Sequence, residues 1–290
     1  MIAELFGYLT GPMEYAFMTR ALTAVILAGL VCGVVGTFVV LRGMAFLGDA
    51  LSHAILPGVA LGYLVGGGAT GSLFWWGLFT AIVTALGIGA VSRGTRMKED
   101  TTIGIFFAGM FALGIGMIST VRNYAVDLTH ILFGNILSVS IEQLYLMSIF
   151  SALILAVVFG LYKELLIISF DQVLAVTLRL PVRFLHYLLL VVLAVTIVVA
   201  LQAVGVALML ALLVTPSATA MLVTHRVPYI MALASLIGAS SGAAGLYVSY
   251  YANIAAGPAI VLVCSAVFIL VWIFAPRRRN AGKNIYHGGR

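Results

Sequence analysis

Apolar and polar positions along this chain alternate on a scale of about twenty residues, not of single helical turns. Apolar runs bounded by charge or by Gly/Pro clusters fall at about 17–41, 46–65, 72–92, 102–121, 142–162, 184–201, 204–223, 229–250 and 255–275. A helix needs roughly 20 apolar residues to cross the hydrocarbon core, so each run predicts one span and the fold class is an all-α polytopic transmembrane bundle of about nine helices. Only Gln202 and Gly205 punctuate the join between the sixth and seventh runs, which leaves eight and nine spans both open. The first run is too long for a signal peptide and reads as a retained span.

Composition excludes a soluble fold. Of 290 residues, 63% are hydrophobic and 8% charged, and the mean hydropathy is +1.19; a solvated surface cannot be built from that. The spans use up the length, so residues 1–290 form a single transmembrane domain. The net charge of +6 has a topological meaning. With nine spans and the N-terminus outside, thirteen of the fifteen basic residues fall on one side, the exceptions being Arg20 and Arg122. That side is cytoplasmic by the positive-inside rule, and it includes the C-terminus with a basic, disordered tail at about 277–290. The basic balance is an orientation label and implies no nucleic-acid partner. Cys32 and Cys264 lie in apolar runs without disulfide or metal spacing.

Two connections are long. On the cytoplasmic side, 163–183 carries apolar residues at helical spacing, with Asp171 near a helix start and Pro181 near its end, and predicts a short amphipathic helix at the membrane surface. Outside, 122–141 contains ILFGNILSV (131–139), too short to span and read as a re-entrant or interfacial segment. Glycines recur four apart at Gly29/Gly33, Gly58/Gly62/Gly66 and Gly238/Gly242, a spacing that lets helix backbones approach, within one subunit or across a dimer seam. The sequence contains no GxxxxGK[ST], and Gly114-Ile-Gly116 lacks the rest of a dinucleotide fingerprint, so no nucleotide site is expected.

The second run holds two ionisable residues, Asp49 and His53. Four apart, they share one helical face, and their carboxylate and imidazole could ligate one divalent cation. A charge at mid-membrane costs about 2.5–3.5 kcal/mol on insertion scales, so it requires a compensating partner. Two copies of the pair across a dimer axis would supply two carboxylates and two imidazoles, a set suited to Mn²⁺ or Zn²⁺. Pro57 lacks an N–H and displaces the His53 carbonyl, which predicts a kink at the proposed ligand. The plainer alternative pairs Asp49 with Arg42 and hydrogen-bonds His53 to a neighbouring helix. Ser52 beside His53 does not face it, and neither an oxyanion hole nor HExxH is evident, so hydrolase chemistry is not supported. Asp127 and His130 read as a solvated loop pair. Pro216 should break the seventh run, free the Leu212 carbonyl and let Thr215, Ser217 and Thr219 line a pathway.

Four segments carry a family resemblance: VVLRGMAFLGDALSHAILPGVALGYL (39–64), ILFGNILSV (131–139), SFDQVLAVTLRLPV (169–182) and LLVTPSATA (212–220). In that order, over nearly the whole chain, they resemble the membrane subunits of ABC importers for manganese, zinc or iron. The resemblance implies a homodimeric permease in a bacterial plasma membrane, a cytoplasmic ABC ATPase dimer and an extracellular metal-binding lipoprotein that delivers the ion. It implies that Asp49 and His53 form the transmembrane metal site. It also implies that 169–182, with Phe170, Asp171, Ala175, Arg179 and Pro181, is the coupling helix that docks on the ATPase; the family usually has glycine where this chain has Arg179. No permanently bound cofactor is expected, and the chain itself is not an enzyme. The cargo reads as Mn²⁺, with Zn²⁺ or Fe²⁺ as alternatives, because a carboxylate-imidazole set without cysteine leans toward the harder ion. A self-sufficient, proton-coupled secondary transporter is the rival reading.

Overall fold

The computed structural model describes residues 11–66, 70–95, 97–119 and 136–275. The segment 120–135, with Asp127, His130 and most of the expected re-entrant stretch, and the tail 276–290 lie outside the described residues. The described chain is helical, in the order α1 (Ala16–Leu41), α2 (Ala45–Ala54), α3 (Leu56–Gly66), α4 (Thr70–Gly94), α5 (Glu99–Ile118), α6 (Ile141–Gly160), α7 (Tyr162–Phe170), α8 (Gln172–Thr177), α9 (Val182–Val204), α10 (Val206–Val223), α11 (Val227–Ala252) and α12 (Ala256–Phe274). With α2 and α3 counted as one span, nine helical segments among the described residues are long and apolar enough to cross a membrane. Each overlaps one of the apolar runs.

The open count between eight and nine is decided by Gly205. Its backbone stands at φ 80°, ψ 169°, a region open to glycine alone, and it ends α9 and begins α10 within one residue. Its N–H donates to the Leu201 carbonyl (2.8 Å), and its own carbonyl accepts from the Met209 N–H (3.0 Å).

Helices α1 and α9 form the buried centre, whereas α5, α6 and α12 leave broad apolar faces exposed on the single chain. The glycine pairs are used inside the chain. A Cβ on Gly29 would lie 2.6 Å from the Gly238 carbonyl carbon and the Ala239 amide, and one on Gly33 would lie 2.6 Å from the Ser235 Cα, so α1 and α11 touch backbone to backbone. Gly58, Gly62 and Gly66 serve the α3–α4 contact in the same way. Ser235 Oγ donates across the α1–α11 seam to the Leu30 carbonyl (2.9 Å). Cys32 and Cys264 are both buried and free.

Two expectations need correction. Pro216 does not break its span: α10 continues from Val206 to Val223 with the proline inside it. A lost backbone bond is tolerated where neighbouring helices and hydroxyls support the turn. Here Thr219 Oγ1 donates to the Thr215 carbonyl (2.7 Å), while buried Ser217 Oγ donates to Leu213 O (3.4 Å) and to Gly33 O on α1 (3.3 Å). Ser217 is therefore engaged in packing. The short helix expected within 163–183 does start at Asp171, which takes an extended backbone (φ −146°, ψ 101°) and caps it with its carboxylate, but it is only α8, and a separate helix, α7, precedes it.

Candidate functional site

The site is built on α2, and the turn before it sets its direction. Helix α1 ends in a Schellman motif: the Gly43 N–H donates to Val40 O (3.1 Å) and the Met44 N–H to Val39 O (2.9 Å), with Gly43 left-handed at φ 68°. Met44 is buried beneath the turn. The LRGM sequence thus turns the chain into α2, whose Leu47, Ala50, Leu51 and Ala54 face the core.

The remaining face of α2 presents Asp49 and His53. His53 Nε2 stands 3.6 Å from Asp49 Oδ1, with the histidine side chain 27% and the aspartate 38% exposed. His53 Nδ1 is buried and has no hydrogen-bond partner. An unpaired buried nitrogen costs about 1–3 kcal/mol; the nitrogen turned toward Asp49 is the other one, Nε2. Arg42 does not neutralise Asp49: its guanidinium lies against His186, 3.5 Å from Nδ1. Ser52 is fully buried and donates to the Gly48 carbonyl (2.7 Å), an ordinary helix back-bond.

The far wall comes from α5. The His53 ring meets Phe107 edge-on at 5.7 Å between centroids and Phe111 at 5.5 Å, and these two phenylalanines stack at 5.8 Å. Phe46 meets Phe107 edge-on at 6.1 Å. The rings hold the imidazole plane and keep a low dielectric on one side of it, which strengthens any charge interaction on the other. Sequence reasoning passed over Phe107 and Phe111; their four-residue spacing on α5 was the available signal.

Below His53 the span is interrupted. Ile55 sits in a turn between α2 and α3, its N–H donating to Leu51 O (3.2 Å), and Pro57 offers no amide to the His53 carbonyl. Gly114 of α5 lies against Leu56 and Pro57, so the interruption is clamped by a close helix. Among the described residues no three His, Cys, Asp or Glu side chains come together as a metal group. One chain offers a carboxylate and an imidazole, fewer donors than Zn²⁺ or Mn²⁺ takes.

The other sequence-selected group lies at the basic end of the bundle. Asp171 Oδ1 accepts from the Val173 (2.8 Å) and Leu174 (3.0 Å) amides and starts α8. Its end is a second Schellman motif, with Arg179 N–H to Val176 O (2.9 Å) and Leu180 N–H to Ala175 O (3.0 Å). Arg179 occupies the left-handed position at φ 56° that Gly43 fills in the first, which explains a preference for glycine there. Ala175 is buried, Pro181 precedes α9, and Phe170, Val173 and Val176 project apolar side chains outward. With Leu174 and Leu178 this makes five exposed large apolar side chains on a short element, and contiguous exposed apolar patches mark interaction sites in general. Thr215, Pro216 and Ser217 belong to α10 and its packing on α1.

Helix length, the half-exposed ionisable pair inside a span and the projecting segment at the basic end define a multi-pass membrane permease. The chain matches the ABC 3 transport family over residues 14–275 and belongs to it. It is 45% identical over 266 residues to the manganese transport system membrane protein MntC of Halalkalibacterium halodurans, covering 92% of this chain and 90% of that one. It is 37% identical over 270 residues to the chelated iron transport system membrane protein YfeD of Yersinia pestis, covering 93% and 89%. Among solved structures, it resembles a chain of PsaBC from Streptococcus pneumoniae in complex with Fab, with a TM-score of 0.81, 39% identity and coverage of 96% and 98%.

Proposed function

We propose that this chain is the permease subunit of an ATP-driven importer of divalent transition-metal ions, with manganese as the principal cargo and iron or zinc as alternatives. The observation that carries the reading is the Asp49/His53 pair: a partly exposed carboxylate 3.6 Å from an imidazole Nε2, inside a membrane span. The manganese and iron transport named for its relatives supports the choice of cargo.

The donor set is half of what a metal site needs, so two copies of the chain face each other across the open side of α2 and α5. That side carries Ala45, Phe46, Ile105, Ala108, Gly109, Ala112, Leu113 and Gly116, exposed in the single chain and mostly small or apolar. Two Asp49 and two His53 then enclose the ion, and the two carboxylates balance its charge. The ion arrives at the outer mouth from an extracellular metal-binding lipoprotein and leaves inward by alternating access. The N-terminus lies outside and the basic end is cytoplasmic, which places Phe170–Pro181 against a separate ATPase dimer. The exposed apolar face of α8 is the docking surface, and Arg179 adds a positive charge at its end.

The test is metal accumulation in cells making normal amounts of Asp49→Ala or His53→Ala permease. Each variant should lose manganese uptake at least tenfold. Undiminished uptake of manganese, iron and zinc by both would sink the site assignment, and uptake by the isolated chain in ATP-free vesicles under a pH gradient would replace ATP as the energy source.

A further inference from the structure

Beside α8 the basic end of the bundle holds a cavity of about 900 Å³, lined in part by Arg93, Glu99, Gln172, Val176, Arg183 and His186. His186 is 1% exposed, and it joins three elements that are distant in sequence. Its Nδ1 lies 3.5 Å from both terminal nitrogens of Arg42, and its Nε2 lies 3.8 Å from Glu99 Oε1. Arginine only donates, so Nδ1 accepts and the ring proton sits on Nε2, aimed at the Glu99 carboxylate. At 3.8 Å that last contact is longer than a hydrogen bond, and Nε2 has no other partner.

The three residues occupy mechanically distinct places. His186 is in the first turns of α9, directly after Pro181 and the α8 segment. Arg42 closes α1 and precedes the Gly43 turn that aims α2, the helix of Asp49 and His53. Glu99 opens α5, the helix of Phe107 and Phe111. Burial lowers the Arg42 pKa below the ordinary arginine range, Glu99 opposes that shift and Arg93 adds to it, which places Arg42 within electrostatic reach of both.

We infer that His186 is a positioning residue for transport: it links movement of the Phe170–Pro181 segment to the α1–α2 turn and to the start of α5, by making the Nε2–H to Glu99 bond in one transport state and releasing it in another. A buried donor that lacks an acceptor by less than 1 Å of approach, beside a cavity that gives α9 room to shift, is a contact suited to two arrangements. Arg42 keeps hold of the ring in both, so the tautomer does not change as the Glu99 bond forms.

The inference rests on the ATP-driven reading, and one experiment separates the two. The permease is reconstituted in proteoliposomes with its ATPase, and three quantities are measured: Mn²⁺ binding to the permease, ATPase retention, and Mn²⁺ moved per ATP hydrolysed. His186→Ala should bind Mn²⁺ and retain the ATPase as the parent does, while transport per ATP falls at least fivefold. His186→Gln, which keeps one donor and one acceptor, should recover half or more of the ratio. Glu99→Ala, which removes the acceptor, should lower the ratio similarly, with the double variant no worse than either single one. An unchanged ratio in His186→Ala, or a His186→Gln no better than His186→Ala, overturns the inference. If His186→Ala does not assemble, Glu99→Ala carries the same measurement, and an unchanged ratio there overturns it equally. Failure of the ATP-driven reading looks different: Mn²⁺ then moves without the ATPase, whichever residue stands at 186.

Discussion

Arg179 is the position where this chain departs most plainly from local backbone preference, and replacing it with glycine gives a result whose sign and size follow from geometry. The residue is exposed and stands at φ 56° in the closing turn of α8. Side chains other than glycine pay about 1–2 kcal/mol in the left-handed region, through the approach of Cβ to the following carbonyl oxygen. Glycine avoids that but loses about 0.5–1 kcal/mol through its freedom in the unfolded segment. The balance favours Arg179→Gly by about 0.5–1 kcal/mol. That difference is borne by the two amides that close the motif, Arg179 to Val176 O and Leu180 to Ala175 O. Hydrogen exchange of peptides covering 176–182, corrected for intrinsic rates, should slow by about two- to fivefold in the glycine variant. Arg179→Val, β-branched and poorly suited to positive φ, should speed it. Faster exchange in Arg179→Gly, or equal exchange in all three proteins, would refute the assignment of strain to this residue.

Two further outcomes are expected. Gly29→Ala places a Cβ against the backbone of Gly238 and Ala239, where nothing can rotate away, so the α1–α11 seam must open at a cost of about 1–3 kcal/mol; thermal unfolding of the purified permease should shift down, and an unchanged Tm would contradict the close approach. Asp171→Ala removes the acceptor of the Val173 and Leu174 amides and should destabilise α8 locally by about 1 kcal/mol, seen as faster exchange at those amides with protection in α9 unchanged.

The spans were legible because a bilayer imposes a length and a composition that few other solvents do, and the observed helix ends lie close to the apolar runs. The Asp49/His53 pair was legible for the converse reason, since ionisable groups four apart in such a run stand out. Pro57 and Pro216 show the limit. Both lack an amide, yet one lies at an interruption and the other inside a continuous helix, and the difference lies in the neighbours: Gly114 against Pro57, and the α1 backbone with the Thr219 and Ser217 hydroxyls around Pro216. Phe107 and Phe111 offered only their four-residue spacing, and in a helix already rich in apolar residues that spacing does not stand out. Arg42 and His186 are 144 positions apart, and only the packed bundle brings them together.

The one-residue reversal at Gly205 changes how this protein's topology must be mapped. Val204 and Gly205 are both buried, so the turn of the α9–α10 hairpin offers a protease or a thiol reagent no exposed loop at that point. Reporters inserted there would disrupt the hairpin, and labelling from either side would pass over it. A map drawn from accessible loops alone would fuse two helices into one and assign every residue after 205 to the wrong side of the membrane.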